Sequence, residues 1–420
     1  MSMRPGLPPP SKRLLLLVVV LVGLNLRPFL AGIGPLAGEI TAATGLDYRS
    51  MALFTLVPML LMGLCAFAGP SLQRLVGVRP AVIGALVLLG LGSALRLLSL
   101  GGGALIGTAA VCGLGVAVVQ AVFPGVVKEH FPGRVAFVMG LYSAALMGGG
   151  ALGAQAAPLV ADLSASWRIG LGWLAAPAAL AAVAAALALP RGAAPVPGAL
   201  RPAALLRRPR TWLLMACFGL VNGGYSTVIA WLAPSYQALG WTASASGGLI
   251  AAMAASQAVS ALAMPVLAAG SRDRRPWMWL ALALQMAAFA GLAFWPAAMP
   301  LGWAMLAGIG LGGSFALAMV VALDHLDDAA SAGALSALMQ GGGFLIAAIP
   351  PWIVAVLHDL TGGFAAGWLM HLGCAALVGL LALRLSPRGY AAAMRMPSRG
   401  DQGAAGDPGG GTEASVRPTA

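Results

Sequence analysis

Apolar runs of eighteen or more residues recur along almost the whole chain, and they decide the fold class before any motif is read. Inside a bilayer no water is available to bond exposed backbone N–H and C=O groups, so a run of that length crosses as a helix that satisfies its own backbone. The apolar periodicity predicts twelve spans, at about 14–37, 47–69, 79–99, 103–126, 135–160, 168–190, 211–237, 243–268, 276–297, 299–323, 333–357 and 363–386. A soluble reading fails on charge. The chain is 60% hydrophobic and 9% charged, too little charge to cover the surface of a soluble protein of 420 residues. Its 58 Gly and 29 Pro fall largely inside the runs, where membrane helices tolerate both. The expected fold is an all-α membrane protein of twelve transmembrane helices in two six-helix bundles.

The longest hydrophilic interruption, RGAAPVPGALRPAALLRRPR at 191–210, separates six spans from six. The domain reading is therefore an N-terminal half over 1–190, a linker over 191–210, a C-terminal half over 211–386 and a tail over 387–420. The tail turns to Gly, Pro, Ser, Thr and charge, a composition that predicts disorder. The first span follows Arg4, Lys12 and Arg13 and has the look of a signal peptide, but Asn25, Arg27 and Pro28 succeed its apolar stretch and eleven more spans come after, so it is read as retained.

The net charge of +12 lies in short loops. With both termini cytoplasmic, twenty of the 24 Lys and Arg fall on the inner side, and only Arg49, Arg96 and Arg168 on the outer. That is an orientation signal, which places the chain in an inner (plasma) membrane and argues against nucleic acid as a partner. Cys65, Cys112, Cys217 and Cys374 sit singly in separate runs, so neither a disulfide nor a metal site is expected. Walker loops, nucleophile elbows, H-E-x-x-H and clustered Cys/His ligands are all missing from the sequence, which argues against an enzyme or a bound cofactor.

The residue that speaks most of function is Arg27, in the middle of LNLRPFLAGIGP. A charge at that depth is costly and ordinarily faces a polar cavity or a partner. Carboxylates occur only near span ends, so a bound anion is the expected counter-charge; the plainer alternative is a guanidinium capping backbone carbonyls or snorkelling outward. Pro28 should interrupt the helix beside it. Further candidates for a substrate cavity between the halves are Asn25, Gln120 and Tyr142 in the first half and Asn222, Tyr225, Trp231 and Gln340 in the second. Each alone is also an ordinary helix–helix hydrogen bond. Pro58 and Phe123-Pro124 should bend spans 2 and 4. Glu39 and Asp324, at opposite mouths, and Arg74, in the loop between spans 2 and 3, are the gating or coupling candidates. His371 is the sole His well within a span and is read as a packed surface residue.

A weak internal repeat supports two related halves. GLG at 113–115 matches GIG at 308–310, and Gly140, Ser143 and Gly148–Gly150 match Gly333, Ser336 and Gly341–Gly343 at a constant shift of 193. Parallel repeats of this kind characterise major facilitator transporters. The 2–3 loop GPSLQRLVGVRP resembles a degraded copy of that family's loop signature, with Gln73 in place of an Asp and with Arg74 and Gly77 kept. NLRP at 25–28, FPGVVKEHFPGRVAFVMGLYS at 123–143, WLAPSYQALGW at 231–241 and SALMQGGGFLIAAIPPWIVAVLHDLTGGF at 336–364 resemble the cyanate permease and 2-nitroimidazole transporter branch of the major facilitator superfamily. The resemblance implies secondary active transport by alternating access, without a cofactor, by a monomer. The implied substrate is a small anion such as cyanate or, alternatively, a neutral drug-like compound such as a nitroimidazole. Reporter fusions near residues 200 and 400 should both give cytoplasmic signals; a periplasmic signal at either point overturns the orientation or the span count.

Overall fold

The computed structural model describes residues 12–98, 101–131, 134–189, 202–327 and 329–394. Among the described residues, twelve helical spans are long and apolar enough to cross a membrane: Lys12–Ala31, Tyr48–Phe67, Val78–Leu95, Gly102–Phe123, Phe137–Ser164 and Trp167–Ala188, then Pro209–Gln237, Ala243–Ala268, Arg275–Phe294, Pro300–Leu323, Ser331–Thr361 and Ala365–Ala382. They are called spans 1 to 12. Short connections make successive spans antiparallel, so the links after odd-numbered spans share one face, here the odd-loop face. Most of the expected linker, 191–210, lies outside the described residues; within it a short helix, Pro202–Leu206, precedes span 7.

The repeat seen in sequence is a repeat of packing. Small residues let membrane helices approach closely, and several of the matched glycines sit where a β-carbon has no room. A β-carbon on Gly113 of span 4 would lie 2.6 Å from Pro58 of span 2, and one on Gly115 would overlap the Ala85 carbonyl of span 3. In the second half Gly308 abuts Met253 of span 8, and a β-carbon on Gly310 would lie 2.6 Å from the Ala281 carbonyl of span 9. Likewise Gly149 and Gly153 of span 5 press on Leu24 and Pro28 of span 1, while Gly342 and Gly343 of span 11 press on Met215 and Phe218 of span 7. Between the halves, span 5 packs on span 8 and span 2 on span 11.

Proline sets the interruptions. Span 1 is not one helix to residue 37 but two, Lys12–Asn25 and Pro28–Ala31, followed by turns and a third helix, Ala37–Thr44. Pro28 has no N–H for the Leu24 carbonyl, and the chain beyond it closes i→i+3 bonds, Ile33 N–H to Leu30 O and Leu36 N–H to Ile33 O. Span 11 breaks between Ala347 and Pro350. Pro351 cannot bond the Ala347 carbonyl, and Ser226 Oγ of span 7 donates to it instead at 2.7 Å. By contrast the helices Tyr48–Val76 and Gly102–His130 run unbroken through Pro58 and Pro124.

The expected 2–3 loop is mostly helix. The span 2 helix continues to Val76 and the next begins at Val78, leaving Gly77 alone between them at φ +83°, a backbone that a side chain would strain. The tail reading also changes at its start. Pro387–Gly389 forms a 3-10 turn and Tyr390–Met394 a short helix; Tyr390 stacks on His325 at 3.8 Å and donates to the Leu385 carbonyl at 3.2 Å. An aromatic ring and a methionine in an otherwise polar stretch are enough to dock it, and residues 395–420 lie outside the described chain.

Because Gly149 faces the Leu24 backbone, which cannot retreat, Gly149→Ala should cost about 1–3 kcal/mol, read as a lower melting temperature of the purified protein. Gly148→Ala, with open space around it, is the control and should be nearly neutral.

Candidate functional site

Arg27 lies at the break in span 1, between the helix ending at Asn25 and the one beginning at Pro28. The glycine face of span 5 brings the two spans together there, with Gly150 directed at the Arg27 β-carbon. Arg27 is 7% exposed, yet its Nε and Nη1 are enclosed and have no hydrogen-bond partner. Its guanidinium carbon stands 4.8 Å from the centroid of the Tyr225 ring, on span 7 of the other half. A ring face stabilises the cation but leaves the in-plane N–H groups free. Tyr142 of span 5 is within electrostatic reach of Arg27, stacks on Phe123 at 5.3 Å, and has a buried hydroxyl that also lacks a partner.

Arg27, Tyr142 and Tyr225 thus form one cluster of unmatched donors and aromatic faces at the junction of the halves. The other sequence candidates are placed elsewhere or turned to other work. The Asn25 amide donates to Leu21 O and that of Asn222 to Phe218 O, each at 2.8 Å and each along its own helix. Asn222 also lines a small apolar pocket inside the second half, with Ser314 and Cys217. Gln120 and Gln340 are partly exposed on spans 4 and 11. Trp231 is fully buried, and its Nε1 donates to Pro351 O at the break in span 11.

Trp231 belongs to a second constellation, on the odd-loop face. Tyr48 of the first half packs on His358 at 4.2 Å, on Trp231 at 5.6 Å and on Phe364 at 5.9 Å, all from the second half. Beside it Arg49 Nε meets Asp359 at 2.6 Å, and Gln237 Nε2 donates to the Pro35 carbonyl at 2.7 Å. Aromatic, ionic and hydrogen-bonded contacts therefore tie the two halves together at this face. Sequence reasoning did not anticipate it, since Tyr48 and Arg49 lie about 310 positions from His358 and Asp359.

The three gating candidates fare differently. Glu39 is exposed on the helix Ala37–Thr44, with its carboxyl pushed up by partial burial and by the Asp162 carboxylate. Asp324 is exposed at the end of span 10 and lies 3.4 Å from Arg274. The side chain of Arg74 lies outside the described residues. His371, expected at a packed surface, is instead 1% exposed: its Nε2 is 2.8 Å from Thr227 Oγ1, a bond between spans 12 and 7. The largest omission is Arg96. Counted on the outer side near the end of span 3, it is wholly buried.

Two six-span halves with matched packing, meeting around a buried cation, have the parallel-repeat architecture of major facilitator proteins. The profile of the Major Facilitator Superfamily matches residues 15–351, and the chain belongs to that superfamily. Among curated proteins it is 41% identical over 374 residues to the cyanate transport protein CynX of Escherichia coli (strain K12), covering 89% of this chain and 97% of the relative. The 2-nitroimidazole transporter of the same organism is 27% identical over 373 residues, 86% of this chain and 92% of the relative. These relatives match the branch that the sequence resembles. Two crystal structures of a bacterial homolog of the human lysosomal transporter Spinster, inward-facing in occupied and unoccupied forms, superpose with TM-scores of 0.73 and 0.75. They share 16% and 14% identity and cover 94% of this chain and all of theirs, a likeness of fold.

A buried guanidinium with nitrogens that lack acceptors loses hydration without return, so Arg27 adds little to stability. Arg27→Met should leave the protein's melting temperature unchanged or raise it. A drop of many degrees would show that Arg27 is tied into the fold.

Proposed function

We propose that this transporter of the major facilitator type moves a small monovalent anion of the cyanate kind by alternating access. The observation that carries the reading is Arg27, buried at the junction of the halves with Nε and Nη1 unmatched. An anion beside the guanidinium would supply the acceptor that the buried cation lacks, as carboxylates and phosphates do at arginine elsewhere. The free Tyr142 hydroxyl supplies a further donor, and the Tyr225 ring covers the cation from the other half. The 41% identity to a cyanate transport protein supports the same ligand class. The runner-up, a neutral nitroaromatic compound, draws on the 27% relative and on the Phe123, Tyr142 and Tyr225 rings, which offer stacking surfaces.

The arginine bias supports an orientation with the odd-loop face outside and both termini in the cytoplasm of an inner-membrane protein. On that orientation the Tyr48–His358 and Arg49–Asp359 contacts close the outer face. Importing one negative charge against 100 mV, negative inside, costs about 2.3 kcal/mol, so uptake must be coupled to something. Proton symport ordinarily relies on a carboxylate or His inside the bundle. Among the described residues the carboxylates sit near span ends, and the buried His371 is engaged with Thr227. An arginine guanidinium is not a proton carrier. Exchange for an internal anion, or carriage of a neutral species, therefore fits better than carboxylate-based symport.

Uptake of labelled cyanate into proteoliposomes tests the reading, with Arg27 variants and with or without anion inside. Internal anion should stimulate uptake, Arg27→Ala should abolish it, and Arg27→Lys should retain a part. Full uptake by Arg27→Ala removes the site. Uptake driven by a pH gradient alone and lost in Glu39→Gln or Asp324→Asn removes the exchange mechanism.

A further inference from the structure

A second arginine in the first half is buried without a carboxylate partner among the described residues. Arg96, just past the end of span 3, is 0% exposed. Its Nη1 donates to the Phe29 carbonyl at 3.0 Å and its Nε to Thr108 Oγ1 of span 4 at 3.2 Å, while Nη2 has no partner. Thr108 is itself held, its hydroxyl donating to the Leu105 carbonyl at 2.6 Å. The guanidinium carbon also lies 6.0 Å from the Phe29 ring centroid. Spans 3 and 4 thereby grip span 1 at one backbone carbonyl.

That carbonyl is available because span 1 is broken. In a continuous helix the Ile33 N–H would bond Phe29 O; here it bonds Leu30 O. Phe29 lies in the four-residue helix Pro28–Ala31, whose first accepting carbonyl is that of Arg27, bonded by the N–H groups of Leu30 and Ala31. A single turn is too short to hold its own geometry, since nucleating a helix fixes several residues for very few bonds. Whatever anchors Phe29 O therefore sets the backbone from which Arg27 projects. A fork that reaches a carbonyl and a hydroxyl on different elements is a task for guanidinium rather than ammonium.

We infer that Arg96 is a positioning residue of the anion site: by clamping the Pro28–Ala31 turn to spans 3 and 4, it fixes the direction in which Arg27 presents its unmatched nitrogens. The inference rests on the reading of Arg27 as the anion ligand. It distinguishes orientation from mere stability, because the loss it predicts depends on what stands at position 27. A guanidinium binds through a fixed planar edge, whereas a lysine ammonium is a point charge with rotatable donors and is far less sensitive to the angle of approach.

The experiment measures cyanate binding to the purified full chain, by intrinsic tryptophan fluorescence, in two backgrounds. With Arg27 present, Arg96→Gln should weaken binding by about tenfold or more, the loss expected when a charged hydrogen bond ceases to hold a site in place. In Arg27→Lys, whose own affinity is lower, the same change should alter binding by less than about threefold, a coupling that a double-mutant cycle reads directly. Equal losses in both backgrounds, or no loss with Arg27 present, overturn the inference. Melting temperatures report whether each variant folds. If Arg96→Gln does not, Thr108→Val removes the Nε acceptor while sparing the Phe29 contact, and the same criterion of unequal losses applies to it. Unchanged cyanate binding by Arg27→Ala would sink the anion site itself, an outcome separate from an additive cycle.

Discussion

The constraint on which the rest depends is the cost of keeping an arginine charge inside an apolar bundle. Nothing in the described chain neutralises Arg27: Tyr225 offers a ring face, Tyr142 offers a donor, and the nearest features of span 5 are glycines. The protein accepts this because the surrounding packing over-determines the position. Gly149 and Gly153 admit the backbone of span 1 so closely that the Arg27 turn cannot slide, and Arg96 holds the turn from the other side. Stability is thus concentrated in glycine-mediated contacts and in side chains that take up the carbonyls freed by proline. The uncompensated charge is left to the ligand in the proposed cycle.

The same accounting explains span 11. Its break at Pro350 and Pro351 frees backbone groups within the bundle, and Ser226 and Trp231 of span 7 take up the carbonyls of Ala347 and Pro351. Trp231 was read as a substrate contact because it is deep and carries a polar N–H, and Ser226 is as deep and as polar. Their partners show why such a reading overcounts: in a membrane interior every interrupted helix needs neighbouring donors, and these are drawn from the same Ser, Trp, Asn and Arg that would bind a solute.

Span number, most span limits and the internal repeat were legible because they follow from hydropathy and from glycine spacing, which act locally; the early end of span 1 and the helical 2–3 connection were not. Arg27 was legible because a charge flanked by apolar residues on both sides has no trivial explanation. Arg96, between Leu95 and Leu97, carries the same physical signal, but it lies near the end of its span, where an arginine normally meets water; contacts with Phe29 and Thr108 bury it instead. The odd-loop contacts of Tyr48 and Arg49 with His358 and Asp359 join residues about 310 positions apart, and no local pattern encodes that pairing. The docking of Tyr390 on His325 is of the same kind.

The two halves repeat in architecture but not in charge. Asn25 and Asn222 correspond at a shift of 197, and each bonds the carbonyl four residues back on its own helix. At that shift Arg27 faces its counterpart Gly224, and Pro28 its counterpart Tyr225. Span 7 accordingly remains one helix from Pro209 to Gln237, with Gly224 pressed on Phe289, while span 1 is broken. The cation therefore belongs to one half and its aromatic cover to the other. In the proposed alternating-access cycle an anion would keep its guanidinium contacts as the halves rock and would exchange only the Tyr225 face and the flanking contacts. A ligand held mainly by one half costs little to carry between the two open states. That suits a transporter whose site contains no group that must gain or lose a proton on each passage.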